Sequence, residues 1–368
     1  MEELSIGAII SGFGFIIGII FGATAQRTNF CTMGALSDIV FMNDWSRLRA
    51  WLLAIAIAII LSQMLHINDL IDLNRSIYLT PNLGWAGAII GGLMFGFGMT
   101  IAGGCGNKTL VRLGAGNLKS LIVFIFLGIF AYMTLRGLIG PARLVLESMT
   151  IIDLKENGFT TQGIPDLLAR LFEINEQIMR PLISGIISLT LFVFCFKDQE
   201  FRNSPKNILA GCIIGVLIPV AWYITGVIGK DDFEPTPLAS FSFVAPSGNS
   251  IQYLMTFTGS TIDFGIATVG GVIVGSFLMS KSNGEFRVES FTSAEDFIRH
   301  ILGASMMGIG GVIAMGCTIG QGVTGISTLA LGSLLALAAI LLGGIYGLKY
   351  LEEDSVTGAL KAMIPKTR

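Results

Sequence analysis

Two stretches of this sequence match each other without a gap: GGLMFGFGMTIAGGC at residues 91 to 105 and GASMMGIGGVIAMGC at residues 303 to 317. The members of each matched pair are 212 residues apart in the chain. Internal repeats are common in membrane transporters, whose sites lie where two related halves meet. The matched pairs include Gly91/Gly303, Gly96/Gly308, Gly98/Gly310, Ala102/Ala314, Gly104/Gly316 and Cys105/Cys317.

The composition indicates a membrane protein. Hydrophobic residues make up 52% of the 368 residues and charged residues only 13%, with a mean hydropathy of +0.75. Soluble domains carry about twice this share of charged residues. Because the net charge is -2 and no polybasic tail is present, nucleic acid is not an expected partner, whereas membrane lipid is.

Segments without Asp, Glu, Lys or Arg predict the spanning helices, because a charged side chain at the bilayer centre costs several kcal/mol. The fold class expected is an all-α polytopic membrane protein with about nine transmembrane helices, re-entrant short helices or loops and an inverted internal repeat. We expect the first span to be a retained helix, since it is too long for a signal-peptide core. The predicted spans are residues 4–26, 50–66, 84–104, 120–135, 181–196, 207–228, 264–280, 300–317 and 328–348.

The segment from Ile301 to Leu348 contains no charged side chain and is about twice as long as one span. Its middle is rich in glycine. We therefore expect a span, a re-entrant turn and a second span in this segment.

Basic residues predict the orientation, because Lys and Arg accumulate in cytoplasmic loops. In the nine-span topology they fall on one side, which places the C-terminus in the cytoplasm and the N-terminus outside. The two copies of the repeat then run in opposite directions. The basic residues are Arg27, Arg47, Arg49, Lys108, Arg112, Lys119, Lys197, Arg202, Lys206, Lys361, Lys366 and Arg368, and acidic residues on the other side include Glu2, Glu3, Asp69, Asp72, Asp231, Asp232 and Glu234.

One transmembrane domain is expected over residues 1–368. Its parts are a first repeat half at about 1–140, a connecting region at about 141–203, a second half at about 204–350 and a cytoplasmic tail at 351–368. The stretch from Arg143 to Glu176 mixes apolar and charged residues, so surface or interfacial helices are predicted there, and no chemistry is assigned to it.

The five cysteines show no CxxC spacing, which argues against a disulfide framework and a structural zinc site. Cys195 and Cys212 lie inside uninterrupted spans and are interpreted as structural, since a buried cysteine usually behaves as a small hydrophobe. Cys31, Cys105 and Cys317 instead lie at polar breaks in apolar sequence. We expect these three thiols to line one path.

Polar residues follow each of these breaks. Arg27 and Asn29 precede Cys31, Asn107 and Lys108 follow Cys105, and the stretch after Cys317 includes Gln321. Non-helical backbone leaves amide N–H groups free, and such groups can bind an anion without a fixed lysine. Packing of closely approaching helices is an alternative explanation for the glycines around the breaks.

Four motifs together resemble the YeeE/YedE family of bacterial sulfur-transport membrane proteins. They are RTNFCTMGALSD at 27–38, FGFGMTIAGGCGNKTLVRLGAGNLKSL at 95–121, SNGEFRV at 282–288 and IAMGCTIGQGVTG at 313–325. The family's central cysteines match Cys31, Cys105 and Cys317, and its glutamine matches Gln321. The resemblance implies an hourglass-shaped protein of the bacterial inner membrane that takes up thiosulfate, and a small cytoplasmic TusA-like sulfur carrier as a possible partner.

The residues suit thiosulfate, because a thiol is a weak donor with a soft sulfur atom and a permeating ion must be released. Burial in apolar surroundings disfavours the thiolate, so relay by hydrogen bonds to protonated thiols is favoured over persulfide transfer. Arg27 and Lys108 are predicted to attract the anion near the ends of the path. No nucleotide-binding motif is present, and we expect no cofactor and no catalytic residue.

Three alternatives remain open from the residues. A membrane sulfurtransferase would form a persulfide on Cys105 or Cys317, but the thiolate would need an activating base or cation, and His66 and His300 form no local triad pattern. A transporter could carry sulfite or a selenium compound instead of thiosulfate. A membrane subunit could also anchor soluble sulfur-handling proteins without transporting anything.

Overall fold

The computed structural model describes residues 5–230 and 236–363. These residues are almost entirely helical, which confirms the expected all-α class. The basic residues Lys366 and Arg368 and the acidic residues Glu2, Glu3, Asp231, Asp232 and Glu234, which were used to predict the orientation, lie outside the described ranges.

Within the described residues, nine long helices form the body of the protein. They are α1 (Ile6–Thr28), α3 (Ser46–Ile67), α4 (Trp85–Ile101), α6 (Leu118–Leu135), α9 (Glu176–Phe196), α11 (Pro205–Tyr223), α13 (Phe264–Ser282), α14 (Ala294–Ile313) and α15 (Leu331–Glu353). The shorter helices are α2 (Thr32–Ser37), α5 (Gly106–Gly114), α7 (Gly140–Thr150), α8 (Ile164–Leu171), α10 (Gln199–Arg202), α12 (Val244–Met255) and α16 (Val356–Met363). π-Helical turns cover Asp38–Met42, Ile224–Ile228 and Gly320–Gly325.

Within the described ranges, eight helical segments are long and apolar enough to cross a membrane. The ninth expected span corresponds to α14, which begins at Ala294 and ends at Ile313, before the predicted end at residue 317. Its first turns contain Glu295, Asp296 and Arg299, which make it more polar than the other eight helices. Acidic side chains at a helix N-terminus are stabilised by the helix dipole, so this end of α14 suits the polar face of the membrane.

Side-chain caps set several of the helix starts. The side chain of Asn117 accepts a hydrogen bond from the backbone N–H of Ser120 at the start of α6, and Ser293 caps α14 through Asp296 in the same way. Such caps satisfy one of the backbone donors that a helix leaves free at its start.

The helices pack as pairs around a central contact between α4 and α14. The outer side of α4 packs against α15, and α14 packs in turn against α6. In the repeat, α4 corresponds to α14 and α6 corresponds to α15. The contact between α4 and α15 is therefore the counterpart of the contact between α14 and α6. A second pair, α1 and α13, forms the most extensive contact in the fold, and α3 packs between α9 and α11.

Glycines allow the closest of these contacts. A Cβ atom on Gly22 of α1 would overlap the carbonyl oxygen of Val272, and one on Gly275 of α13 would overlap that of Ile19. Small residues at helix contacts let backbones approach within a membrane, where the hydrophobic effect contributes little to association. The glycine content of this chain therefore has a packing role at α1 and α13.

The connecting region begins with α7 and α8 and is tied to the bundle by backbone contacts. The two-residue strands β1 (Asn82–Leu83) and β2 (Ile152–Asp153) pair antiparallel. The backbone N–H of Leu331 donates to the carbonyl of Gln162 at the start of α15 (3.1 Å). As predicted, the stretch from Arg143 to Glu176 contains short helices rather than a span of its own.

Candidate functional site

The first repeat copy ends in a sharp reversal of the chain. After α4, Gly103 adopts a left-handed conformation (φ 73°), and the backbone N–H of Gly104 donates to the carbonyl of Met99 (2.8 Å). This is the hydrogen-bond pattern of a helix that ends on a left-handed residue. Cys105 then starts α5, and Nη1 of Arg112 donates back to the carbonyl of Gly103 (2.7 Å). This bond ties α5 to the turn that follows α4, and α5 packs against α13, α6 and α1.

The second copy repeats this geometry. Met315 after α14 is also left-handed (φ 59°), and the backbone N–H of Gly316 donates to the carbonyl of Gly311 (2.8 Å). Cys317 follows, and the chain enters the π-helical turn Gly320–Gly325. The two donors, Gly104 and Gly316, are 212 positions apart in the chain, and so are the two acceptors, Met99 and Gly311. The sequence repeat is therefore also a repeat of backbone structure.

The third thiol lies at a similar break after α1. Asn29 is left-handed (φ 54°), and Cys31 is the residue before α2, where its Sγ accepts a hydrogen bond from the N–H of Gly34 (3.4 Å). At the same 212-residue offset from Cys31, the second half has Phe243, which is the residue before α12. The four breaks thus begin with three cysteines and one phenylalanine.

Residues from both halves converge at these breaks. The thiols of Cys31 and Cys105 interact with each other, and the Cys105 thiol also lies against the hydroxyl of Thr318 from the second half. The thiol of Cys317 is approached by the backbone N–H groups of Phe243 and Gly320. All three cysteines are buried, and all are free thiols. Cys31 and Cys105 therefore lie side by side, and Thr318 connects them to its chain neighbour Cys317; these residues are called the thiol cluster below.

Several buried polar atoms around this cluster make no hydrogen bond of normal geometry with a described residue. Leaving such an atom without a partner costs about 1 to 3 kcal/mol, so a bound anion or water that pairs with these atoms would be stabilised here. The Thr318 hydroxyl can donate to an anion. The atoms are Thr32 Oγ1, Asn107 Oδ1, Thr318 Oγ1, Gln321 Oε1 and Ser333 Oγ.

The two predicted amide side chains are each anchored at one end. Nδ2 of Asn107 donates to the carbonyl of Phe30 (3.4 Å), and Nε2 of Gln321 donates to that of Ala314 (2.6 Å). Their free carbonyl oxygens are acceptors and cannot bind an anion directly. They can accept a hydrogen bond from a thiol or a water molecule.

One predicted cation belongs to the cluster and the other does not. Lys108 is buried, and its Nζ donates to Oδ1 of Asn29 (2.9 Å). Arg112, which the sequence interpretation did not select as a site residue, lies close enough to contribute charge at Cys31. Arg27, in the last turn of α1, is exposed and makes no hydrogen bond or ion pair with another described residue. Lys108 thus has a direct structural relation to the thiols that Arg27 lacks.

Two cavities lie on the Cys317 side of the cluster. The larger has a volume of about 560 Å³ and reaches Gly316, and the smaller has a volume of about 230 Å³ and reaches Gln321. Tyr78 and Arg143 line both cavities. The sequence interpretation missed both residues, because neither lies near a cysteine in the chain. The four residues shared by the two linings are Ile77, Tyr78, Arg143 and Met315.

In the part of the chain that the structure describes, no three His, Cys, Asp or Glu side chains are placed to hold a metal ion. The site therefore consists of thiols, hydroxyls and amides, with cations at one side and two cavities at the other.

A helical bundle of membrane-spanning length, with broken helices meeting at a buried polar centre, defines the class of protein as a multi-pass membrane transporter. Residues 27–346 match the model of the family described as Sulphur transport. The chain belongs to this family, which is the YeeE/YedE family that the motifs resemble. It is thus a transporter for sulfur compounds rather than an enzyme.

Curated relatives agree with this assignment. The chain is 26% identical to the thiosulfate transporter TsuA of Escherichia coli over 329 residues, which cover 84% of this chain and 86% of that protein. It is also 26% identical to the TsuA of Spirochaeta thermophila over 318 residues, which cover 86% and 91% of the two chains. A probable transporter of Escherichia coli, YedE, is 30% identical over 103 residues, which cover 27% of this chain and 23% of that protein.

Proposed function

We propose that this protein takes up thiosulfate across a bacterial inner membrane, and that hydrogen bonds to the protonated thiols of Cys31, Cys105 and Cys317 relay the anion. The observation that carries the proposal is the position of the Cys105 thiol, which interacts with Cys31 of its own half and Thr318 of the other half. An anion passing between the two halves would meet this thiol.

The similarity to two thiosulfate transporters over most of their length supports thiosulfate as the substrate. Its terminal sulfur is a soft acceptor, and a thiol offers a weak S–H donor that binds it without holding it. The sulfonate end can accept hydrogen bonds from hydroxyls such as that of Thr318. The site therefore offers a matching donor to each end of the ion.

The orientation belongs to the same proposal. The cations near the cluster, Lys108 and Arg112, would lie toward the cytoplasm, and the two cavities next to Cys317 would face outside. With the N-terminus outside and the C-terminus in the cytoplasm, thiosulfate would enter from the cavities and leave past Lys108. A TusA-like sulfur carrier would then receive it at the cytoplasmic face.

Uptake of radiolabelled thiosulfate into proteoliposomes tests this function. We expect uptake by the wild type and a loss of about tenfold or more in Cys105→Ala, because the central donor is removed. Cys212→Ala is the matched control, since this cysteine is half-buried in α11, away from the cluster. Wild-type protein that carries sulfite but not thiosulfate would overturn the proposed substrate.

Mass spectrometry after exposure to thiosulfate tests the relay separately. Hydrogen-bonded passage leaves Cys31, Cys105 and Cys317 unmodified. A stoichiometric persulfide on any of the three would contradict the relay while leaving transport itself intact.

A further inference from the structure

Arg143 occupies a position that the thiol path does not explain. It lies in the first turn of α7, in the connecting region, yet its side chain lines both cavities next to Cys317. Its Nη1 forms an ion pair with Oε1 of Glu147 one turn later (3.0 Å), and its Nε is buried without a partner. A guanidinium with unused donors therefore lies at the place where the two cavities meet.

The charge of Arg143 is isolated within the two linings. The other charged side chains there are carboxylates: Glu147 in the smaller cavity and Asp263 in the larger. Asp263 already accepts a hydrogen bond from the backbone N–H of Ile266 (2.7 Å) as the cap of α13. Hence Arg143 is the one cationic residue that lines either cavity in the described part of the chain, and Glu147 is its counter-ion.

Tyr78 lies between this guanidinium and the thiol cluster. Its ring is buried and packs edge-on against Trp222 (centroids 6.4 Å apart, interplanar angle 89°). Its hydroxyl lies next to Gly320, whose added Cβ would be 3.6 Å from the hydroxyl oxygen, and the backbone N–H of Gly320 donates to the thiol of Cys317 (3.4 Å). The residues Arg143, Tyr78 and Cys317 therefore follow one another from the cavities to the thiols.

We propose that Arg143 and Glu147 form a loading site for a small divalent sulfur oxyanion, in which the anion displaces the Glu147 carboxylate from the guanidinium and then passes to the Tyr78 hydroxyl. This inference rests on the proposed function and assigns its entry site. The planar guanidinium suits a sulfonate end, because it can donate two parallel N–H···O bonds.

The competition with Glu147 has a clear purpose in transport. A permanently unpaired arginine in a cavity would hold a dianion tightly, whereas conduction requires sites from which the ion leaves. When the anion leaves, the Glu147 carboxylate re-forms its ion pair with Arg143. The free energy of this ion pair offsets the loss of the bonds to the anion. The pair thus keeps the site selective for anions and limits its affinity.

The concentration dependence of thiosulfate uptake into proteoliposomes tests the site. Loss of a charge-assisted hydrogen bond costs about 1.5 to 3 kcal/mol, so Arg143→Gln is expected to raise KM about tenfold or more while the maximal rate changes little. Arg143→Lys retains the charge but not the two parallel N–H donors, so its KM should lie between those of the wild type and Arg143→Gln. Glu147→Gln removes the competitor and should lower KM. Arg136→Gln, at an exposed arginine that lines neither cavity, is the matched control.

Tyr78→Phe separates transfer from loading, because the phenyl ring can keep its packing on Trp222 while the donor is lost. We expect a reduced maximal rate with an almost unchanged KM. Direct binding of labelled thiosulfate to detergent-purified protein gives a readout that does not depend on transport.

The outcomes distinguish the two proposals. If the wild type binds thiosulfate through Arg143 but transports none, the loading site stands and the proposed function fails. If the wild type transports thiosulfate and loses uptake in Cys105→Ala, but Arg143→Gln has the wild-type KM and binding, the loading site is wrong. Equal unfolding midpoints for Arg143→Gln and the wild type establish that the variant is folded.

Discussion

Gly103 and Met315 share a left-handed backbone conformation, with φ values of 73° and 59°, at equivalent points of the two repeat copies. Glycine adopts this conformation freely, whereas a residue with a Cβ pays about 1 to 2 kcal/mol. Gly103→Ala is therefore expected to lower the unfolding midpoint, and Met315→Gly to raise it. Thermal unfolding in detergent measures both shifts.

Space around Gly103 makes this comparison clean, because an added Cβ would meet no atom closer than 3.7 Å. The cost in Gly103→Ala is therefore conformational rather than steric. An unchanged midpoint in both variants would mean that backbone strain does not limit the stability of either reversal.

The contact between α1 and α13 gives a second prediction. Gly22→Ala is expected to destabilise the protein by about 1 to 3 kcal/mol, because its Cβ would overlap the backbone of Val272 and force the helices apart. Gly12, in the same helix, has no atom within 4 Å of an added Cβ. Gly12→Ala should therefore be neutral or stabilising by up to about 1 kcal/mol. Equal losses in the two variants would show that helix contact does not explain the glycine.

Thr318 provides a third prediction, because its hydroxyl is buried and makes no normal hydrogen bond with a described residue. Thr318→Val keeps the shape and removes the donor. We expect no loss of thermal stability and a decrease in thiosulfate uptake of about tenfold or more, because a hydrogen bond to a charged group contributes about 1.5 to 3 kcal/mol. A variant that unfolds at lower temperature but transports normally would assign the hydroxyl to the fold instead.

The two predicted cations should differ in effect. Lys108→Gln removes a buried charge beside the thiols and its bond to Asn29, so uptake is expected to fall about tenfold. Arg27→Gln changes an exposed side chain and should reduce uptake less than about twofold, because exposed charges are screened by salt. Initial uptake rates at two ionic strengths measure this difference. Similar losses in both variants would contradict a special role for Lys108.

The sequence predicted the long helices well because the membrane imposes a simple rule on them. Each expected span overlaps a long helix, and the break expected between Ile301 and Leu348 lies between α14 and α15, where the chain forms the π-helical turn Gly320–Gly325. The end of α14 was placed too late because Ala314, Met315 and Gly316 are as apolar as the helix before them. Hydropathy does not detect a helix that ends through a left-handed residue.

The thiols were found because each follows a polar or glycine-rich break, and a break is visible in sequence. Tyr78 and Arg143 were not found because their place in the site depends on tertiary contacts. The stretch from Arg143 to Glu176 was assigned no chemistry, yet Arg143, which lies on α7, lines both cavities. Only the fold brings Arg143 near Cys317, because the connecting region and more than half of the second repeat half lie between them in the chain.

Cys31 in one half and Phe243 at the matching position of the other make the two halves of the site chemically asymmetric. If both halves had a cysteine at this position, an ion arriving from either compartment would meet the same side chains. In the orientation that we propose, two sulfur atoms would lie toward one compartment and one sulfur beside a phenyl ring toward the other. Unequal sites change how fast an ion crosses in each direction near saturation, but by themselves they cannot pump it uphill. Net accumulation must then draw on a gradient or on chemical consumption of the delivered sulfur.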